Sequence, residues 1–223
     1  MVTVIGVDEA GRGCVMGSLV IAAYATNEEN LDELKKLGVK DSKLLSREKR
    51  EQIFPELLKI GKATIVESTA EEITHLMRQR ISLNEIEAMK AAGALHELQE
   101  ELKGKEISGI FVDSCDGVAK RFEYRLKKYF KPKAKLICEH KADYKYVVVG
   151  AASIIAKVTR DHSIEEIKKL VNHDFGSGYS HDERTIAFLK TNLGKPHVDK
   201  HVRHTWATAK NMKNTQVKLD EYF

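Results

Sequence analysis

Residues 2–13 read VTVIGVDEAGRG, an apolar run that ends on two adjacent carboxylates and then on a G-R-G. Val2–Val7 is rich in β-branched residues and reads as a short strand. Asp8 and Glu9 are then expected at the end of a central strand, where a buried pair of carboxylates is tolerated only beside a cation. Working outward, Leu19–Ala25 is a second apolar run, and IFVD closes Ile107–Asp113 on a carboxylate in the same way. Ala63–Glu67 and Lys135–Glu139 are further strands by composition.

Helical patterns fill the intervals at 28–37, 47–59, 70–80, 83–102, 118–130, 145–171 and 182–192. Ser46 is an N-cap candidate, and Thr69-x-x-Glu72 and Ser82-x-x-Glu85 fit the capping box, in which a hydroxyl and a carboxylate satisfy the first free amides of a helix. Strands lead early and helices dominate later, so the expected fold class is α/β: a central mixed sheet flanked by helices, with a C-terminal helical extension. The expected division is 1–171 for the catalytic domain, 172–214 for the extension and 215–223 for a tail.

The chain has 223 residues, with 42% hydrophobic and 31% charged residues. That composition supports a sizeable core and excludes the low-hydrophobicity disordered class. Met1–Gly13 has no basic stretch ahead of an apolar one, so a secretory signal is excluded there and a cytoplasmic location is expected. Cys14, Cys115 and Cys138 are few, odd in number and far apart, which argues against a disulfide framework or a cysteine zinc site and for reduced, mostly buried thiols. Nothing in the sequence suggests more than a monomer. Residues 1–117 carry 15 Lys and Arg against 21 Asp and Glu, and residues 118–223 carry 22 against 12, giving −6 and +10 within a total of +4. A basic half beside an acidic half suits a polyanion held against a carboxylate-rich, cation-binding centre.

Asp143 stands just before the 145–171 pattern, where it can cap that helix and point toward the sheet. With Asp8, Glu9 and Asp113 it completes four carboxylates, a hard oxygen donor set for Mg²⁺ or Mn²⁺. Lys157 and Arg160 lie ~21–26 Å along the helix from Asp143 at ~1.5 Å per residue, so they are expected to hold phosphates away from the reaction centre, and Asp161 to orient a basic neighbour. Gly11-Arg12-Gly13 offers open backbone amides to a sugar-phosphate chain. A dinucleotide reading fails, because the glycines run Gly11-x-Gly13-x-x-x-Gly17 behind two acids, a poor setting for pyrophosphate. Tyr179, in FGSGYSHD, can stack on a base or sugar. His197, His201 and His204 are expected at the surface, and no serine or cysteine sits in a nucleophile elbow. Hydrolysis by metal-activated water is the enzyme class left.

VIGVDEAGRG, DSKLLS, IFVDS, VGAASIIAKVTRD and GSGY together resemble the type 2 ribonucleases H, ribonuclease HII, in their archaeal form, across residues 2–206. The resemblance implies an RNase H-like fold and an endonuclease that cuts the RNA strand of RNA/DNA hybrids and 5′ of ribonucleotides embedded in duplex DNA, leaving 3′-hydroxyl and 5′-phosphate ends, in replication and ribonucleotide excision repair. By motif position it implies Asp8, Glu9, Asp113 and Asp143 as catalytic and metal-binding acids; the mechanism expected of them is two-metal hydrolysis, with Asp8 as the ligand to both ions. Gly11, Arg12 and Gly13 then meet ribose 2′-hydroxyls, Tyr179 stacks on the deoxyribose after the RNA-to-DNA junction, and Lys43, Lys157 and Arg160 contact phosphates. The family's prolines after GRG and GSGY are replaced by Cys14 and Ser18 and by Ser180 and Glu183, which predicts looser turns. Exonucleases on related folds characteristically begin D-x-E, unlike adjacent Asp8-Glu9, and neither they nor the related resolvases carry GRG with AASIIAKVTRD. A non-catalytic nucleic-acid-binding protein would not need all four acids. At the C-terminus, Gln216-x-x-Leu219-x-x-Tyr222-Phe223 resembles the motif by which replication and repair proteins bind the sliding clamp PCNA.

Overall fold

The computed structural model describes residues 1–39 and 45–220, with the side chains of 215–220 excepted. Five strands, β1 (Val2–Ala10), β2 (Leu19–Asn27), β3 (Lys62–Ser68), β4 (Glu106–Asp113) and β5 (Lys135–Glu139), form one sheet in the order β3-β2-β1-β4-β5. Ten helices accompany them among the described residues: α1 (Leu31–Lys36), α2 (Arg47–Ile60), α3 (Ala70–Arg78), α4 (Leu83–Glu101), α5 (Ala119–Tyr129), α6 (Ala142–Lys145), α7 (Val147–Val171), α8 (Glu183–Asn192), α9 (Pro196–Asp199) and α10 (Ala207–Asp220). The fold is a mixed sheet flanked by helices with a helical C-terminal part, as the sequence pattern predicts. No helix among the described residues is long and apolar enough to cross a membrane.

The chain forms two compact units. The first comprises Met1–Ala10, Val20–Glu67 and Asn84–Thr159; the second comprises Gly11–Leu19, Ser68–Leu83 and Arg160–Phe223. In the first, β1 is central, antiparallel to β2 and parallel to β4, and β4 is parallel to β5. Side chains alternate along a strand, so Val4 and Ala10 join the core beneath α2 and α7, while Ile5 and Val7 join the core beneath α4 and α5. Burial of Val4, Ile5 and Val7 contributes roughly 1.5–3 kcal/mol each. Gly6 falls on the α7 side, where a Cβ would overlap the backbone of Val148 and Val149, so glycine lets the helix lie directly on the central strand. In the second unit, Val15 and Met16 pack with Ile164, Phe175, Phe188, Leu189 and Val202.

Helix starts follow the capping chemistry: Ser46 Oγ accepts from the Lys49 amide at 3.2 Å and Thr69 Oγ1 from the Glu72 amide at 3.1 Å. The pattern at 28–37 divides into a 3-10 turn (Glu28–Asn30) and α1. β1 runs three residues beyond Val7, so Asp8 and Glu9 are its penultimate pair rather than part of a turn. The helix expected at 145–171 is also divided. Lys141 adopts a left-handed conformation with φ 58°, α6 follows, and the extended Tyr146 breaks the chain before α7 begins. Asp143 therefore lies within α6 rather than ahead of one long helix. α10 covers a stretch in which the sequence pattern showed no helix.

Candidate active site

The β1–β4 register, with Val7 opposite Val112, brings Asp8 and Asp113 abreast at the ends of adjacent parallel strands. Alternation turns both toward α7 and turns Glu9 toward α4. A small cavity is lined by Asp8, Glu9 and Asp113 together with Glu87, Ala91 and Phe122. Asp8 is buried, and burial together with the charge of Asp113 pushes its carboxyl up to about 6, although Lys157, Ser153 and the Glu9 amide pull the other way. The Asp8 carboxylate accepts from the Glu9 amide at 2.8 Å. Asp113 Oδ1 accepts from the Ala142 amide at 2.8 Å, which ties Asp113 to the residue preceding the buried Asp143. Among the described residues no three of these groups close around a single point. The chemistry of the set nevertheless fits a hard divalent cation: every donor is a carboxylate oxygen, and burial leaves the negative form of Asp8 disfavoured.

Two residues of this site depart from sequence expectation or escaped it. Lys157 is an electrostatic neighbour of Asp8 and donates to Ser153 Oγ. It does not stand away from the reaction centre, because the helix lies along β1 and the relevant distance runs to Asp8 rather than along the helix from Asp143. Glu87, 1% exposed, was not anticipated. The signal was present, since Glu87, Ala91, Ala94 and Leu98 share one apolar stripe at i, i+4, i+7 and i+11, and a carboxylate on such a stripe needs a reason.

The second unit assembles a different constellation. Gly11 has φ +87°, a left-handed turn that favours glycine. The amides of Val15 and Met16 donate to the Gly178 carbonyl at 2.9 and 3.0 Å, Arg203 donates its amide to the Val15 carbonyl at 2.8 Å, and Cys14 pairs with Tyr179 in an isolated bridge. A Cβ at Gly13 would stand 3.6 Å from the Tyr179 ring. The GSGY loop is fixed by Asp182, which accepts from the Ser177 amide at 2.7 Å and the Arg184 amide at 3.0 Å and is thereby held far below the usual carboxylate range. Amides of both turns are thus hydrogen-bonded, those of the first to the Gly178 carbonyl and that of Ser177 in the second to the Asp182 carboxylate.

Arg160 is buried. It donates to Cys14 Sγ at 3.0 Å and to the Ser177 carbonyl, with its guanidinium 5.0 Å from the Tyr179 ring centroid and Asp161 at 3.4 Å. Within this unit it supports Tyr179 and the loops on either side, where sequence reasoning gave it only a phosphate. Burial pushes the Tyr179 hydroxyl up to about 12, so the ring is neutral at any working pH. Arg203, wholly buried and absent from the sequence reading, donates to the carbonyls of Gly17 at 3.0 Å and Arg12 at 2.9 Å and lies 4.9 Å from the Trp206 ring. It stitches both sides of the G-R-G together; a lone arginine in a polar stretch gives no sign of this. Cys14 and Cys138 are buried free thiols raised by burial, Cys138 to about 12. His197 is exposed as expected, whereas His201 and His204 are half-buried, with burial lowering both. Lys43, Tyr222 and Phe223 lie outside the described residues; Gln216 and Leu219 lie on α10.

A central strand that delivers adjacent acids to the end of a β3-β2-β1-β4-β5 sheet, with a third acid abreast on β4, defines a protein of RNase H-like fold with a carboxylate centre. The ribonuclease HII family model matches residues 5–209. Ribonuclease HII of Pyrococcus furiosus is 40% identical, with 98% of this chain and 97% of that protein covered. The crystal structure of the ribonuclease H2 from Pyrococcus horikoshii superposes with a TM-score of 0.82 at 41% identity, covering 97% of this chain and 99% of that one. Ribonuclease HII in the PCNA complex from Archaeoglobus fulgidus superposes with a TM-score of 0.80 at 38% identity, covering 92% and 95%. The chain belongs to the ribonuclease HII family and is a ribonuclease H.

Proposed function

We propose that this ribonuclease H hydrolyses the RNA strand of RNA/DNA hybrids and cuts 5′ of ribonucleotides embedded in duplex DNA, leaving 5′-phosphate ends. The observation that carries the proposal is the placing of Asp8 and Asp113 abreast at the ends of β1 and β4, with Asp8 buried and its carboxyl pushed up to about 6. Asp8, Glu9, Asp113 and Asp143 would hold two Mg²⁺ or Mn²⁺ ions, which when bound neutralise the scissile phosphate and activate the attacking water. Lys157, beside Asp8, offsets part of the acids' mutual repulsion and presents a cation to a phosphate oxygen. Asp113, held by the Ala142 amide, keeps one oxygen fixed in orientation, and Phe122 and Ala91 keep bulk water from the apolar side of the cavity.

Ribose recognition falls to Gly11, Arg12 and Gly13, whose backbone groups meet a 2′-hydroxyl, the one donor and acceptor that DNA lacks. Tyr179, neutral and backed by Arg160, stacks on the deoxyribose that follows the junction. Lys43 and Arg160 complete the phosphate contacts. The tail residues Gln216, Leu219, Tyr222 and Phe223 bind the sliding clamp PCNA, in line with the clamp complex of the Archaeoglobus protein, and place the enzyme in replication and ribonucleotide excision repair. Removing 216–223 should weaken clamp binding at least about tenfold, or about 1.4 kcal/mol, without slowing cleavage of short duplexes.

The test uses a duplex DNA with one ribonucleotide, an all-DNA control and a full RNA/DNA hybrid, each with Mg²⁺, Mn²⁺ or EDTA. A single metal-dependent cut 5′ of the ribonucleotide with the control intact is expected. Degradation of the control overturns the reading in favour of a general nuclease, and binding of the hybrid with no cut overturns it in favour of a non-catalytic protein.

A further inference from the structure

The outward face of α5 plays no part in either constellation. Residues 119–131 carry six cations, Lys120, Arg121, Arg125, Lys127, Lys128 and Lys131, against one carboxylate, Glu123. The inward face is apolar, with Phe122 and Leu126 buried and Phe122 lining the acid cavity. Arg125 fixes the helix by donating to Asp116 at 2.9 Å and to Glu85 at 2.5 Å, and the Tyr129 hydroxyl donates to the same Glu85 at 2.7 Å. Lys120 and Lys127 share Glu123 at 3.1 and 2.6 Å. Among the described residues Arg121 and Lys131 have no acidic partner, and Tyr124 is 70% exposed with Lys128 Nζ 5.5 Å from its ring centroid.

Arg121, Tyr124 and Lys128 stand at i, i+3 and i+7, one stripe of the helix. Because α5 links the parallel strands β4 and β5, it runs antiparallel to both, so its start lies at the strand end that carries Asp113. The stripe therefore leads away from the acid end for ~10 Å at ~1.5 Å per residue. That is the length of about three phosphates along one strand of a duplex at ~3.4 Å each. An ordinary solvated helix balances its lysines with acids at i±4; here Glu123 is shared by Lys120 and Lys127, Asp116 goes to Arg125, and Glu85 is divided between Arg125 and Lys128 (3.3 Å), so Arg121 and Lys131 are the surplus and Lys128 is only part-balanced beside the exposed ring.

We propose that this stripe, with Lys131 just beyond the helix end, docks the sugar-phosphate backbone of the duplex on which the acid centre acts, a contact that rests on the proposed function. Backbone phosphates meet Arg121, Lys128 and Lys131, and Tyr124 lies against a sugar. The contact is electrostatic and sequence-independent, and it extends the footprint of the enzyme beyond the scissile bond.

The experiment is fluorescence anisotropy in EDTA with a hybrid of about 30 base pairs, over a range of salt, comparing the full chain with Arg121→Glu/Lys128→Glu/Lys131→Glu, with the charge-retaining set Arg121→Lys/Lys128→Arg/Lys131→Arg, and with Tyr124→Ala. Charge reversal should raise Kd at least about tenfold at 0.1 M salt and flatten the plot of log K against log salt by about 2–3. The charge-retaining set should match wild type, and kcat at saturating hybrid should stay within about twofold for all of them. An unchanged Kd and slope in the reversed variant, with wild type binding and cutting the hybrid, overturns this inference alone. Failure of wild type to bind or cut the hybrid overturns the underlying function instead. Loss of polyglutamate binding with hybrid binding intact assigns the stripe to an acidic protein and overturns the proposal too.

Discussion

The acid cavity and the G-R-G loop both bury charge, and they resolve it in opposite ways. At the cavity, Asp8 faces a like-charged Asp113, and burial outweighs the pull of Lys157, so its carboxyl is pushed up to about 6. In the loop unit, Arg203 is as deeply buried, and burial lowers it to about 10, which still leaves it charged at neutral pH. Two backbone carbonyls and an aromatic face receive its guanidinium, while Arg160 finds a sulfur, a carbonyl and the Tyr179 ring. The first region keeps a buried acid whose charged form is disfavoured, the setting in which a cation is proposed; in the second, carbonyls, a sulfur and two rings receive the buried guanidinium groups. The proposed chemistry and the proposed ribose recognition would then fall in separate compact units.

The largest effect that can break this contrast is on cleavage. Asp8→Asn or Asp113→Asn should cut kcat on a ribonucleotide-containing duplex by at least about 10³-fold, about 4 kcal/mol, with hybrid binding within a few-fold of wild type, as read by single-turnover assays and anisotropy. Retained turnover in either variant would show that the acids are not the reactive centre. Next comes Arg203→Ala, which strips donors from the Gly17 and Arg12 carbonyls and should cost about 2–4 kcal/mol of unfolding free energy in urea titration. Arg203→Lys should recover only part of that loss, since an ammonium cannot span both carbonyls and the Trp206 face.

A smaller effect sharpens the comparison through pH. With a folded value of about 6 against the ordinary 3.8, metal-free protein holds an extra proton on Asp8 between those limits, so its stability falls as pH rises from about 4 to about 6 and is flat above. Asp8→Asn removes that contribution. It should leave stability unchanged below pH 4 and raise it by about 1–3 kcal/mol above pH 6, in thermal melts with EDTA. No gain at pH 7 would mean that Asp8 is already satisfied without a metal. The smallest expected effect is at Tyr179, where Tyr179→Phe should cleave within about threefold of wild type and Tyr179→Ala should lose about tenfold in kcat/KM, because a stacked ring rather than the hydroxyl makes the contact.

Much of the acid centre was legible because strand burial leaves a strong mark. Apolar runs at Val2–Val7 and Ile107–Asp113 each end on a carboxylate, and parallel pairing of β1 and β4 sets those ends side by side. Glu87 carries an equally readable mark, a carboxylate on the apolar stripe of α4. Lys157 was misplaced for a geometric reason: distances counted along one unbroken helix from Asp143 do not hold once Tyr146 separates α6 from α7 and β1 lies along α7. The loop unit was less legible because its links are non-local. Residues 68–83 join 160–223 through contacts such as the His204 amide donating to Thr74 Oγ1 at 3.2 Å, and Arg203 reaches Arg12 across 191 positions. No local period announces either. The resemblance assigned Tyr179 and the G-R-G by motif, while Arg203 and the supporting role of Arg160 emerged only from the fold.

The most direct measurement is a titration of Mn²⁺ or Mg²⁺ into the metal-free protein at pH 7.5, read by calorimetry and by the shift in Tm, for wild type, Asp8→Asn, Asp113→Asn and Arg203→Lys. Saturable binding that raises the Tm of wild type and of Arg203→Lys, and that is lost in both acid variants, is the predicted result. No binding to wild type, or an equal shift in the acid variants, would contradict an acid centre completed by a cation.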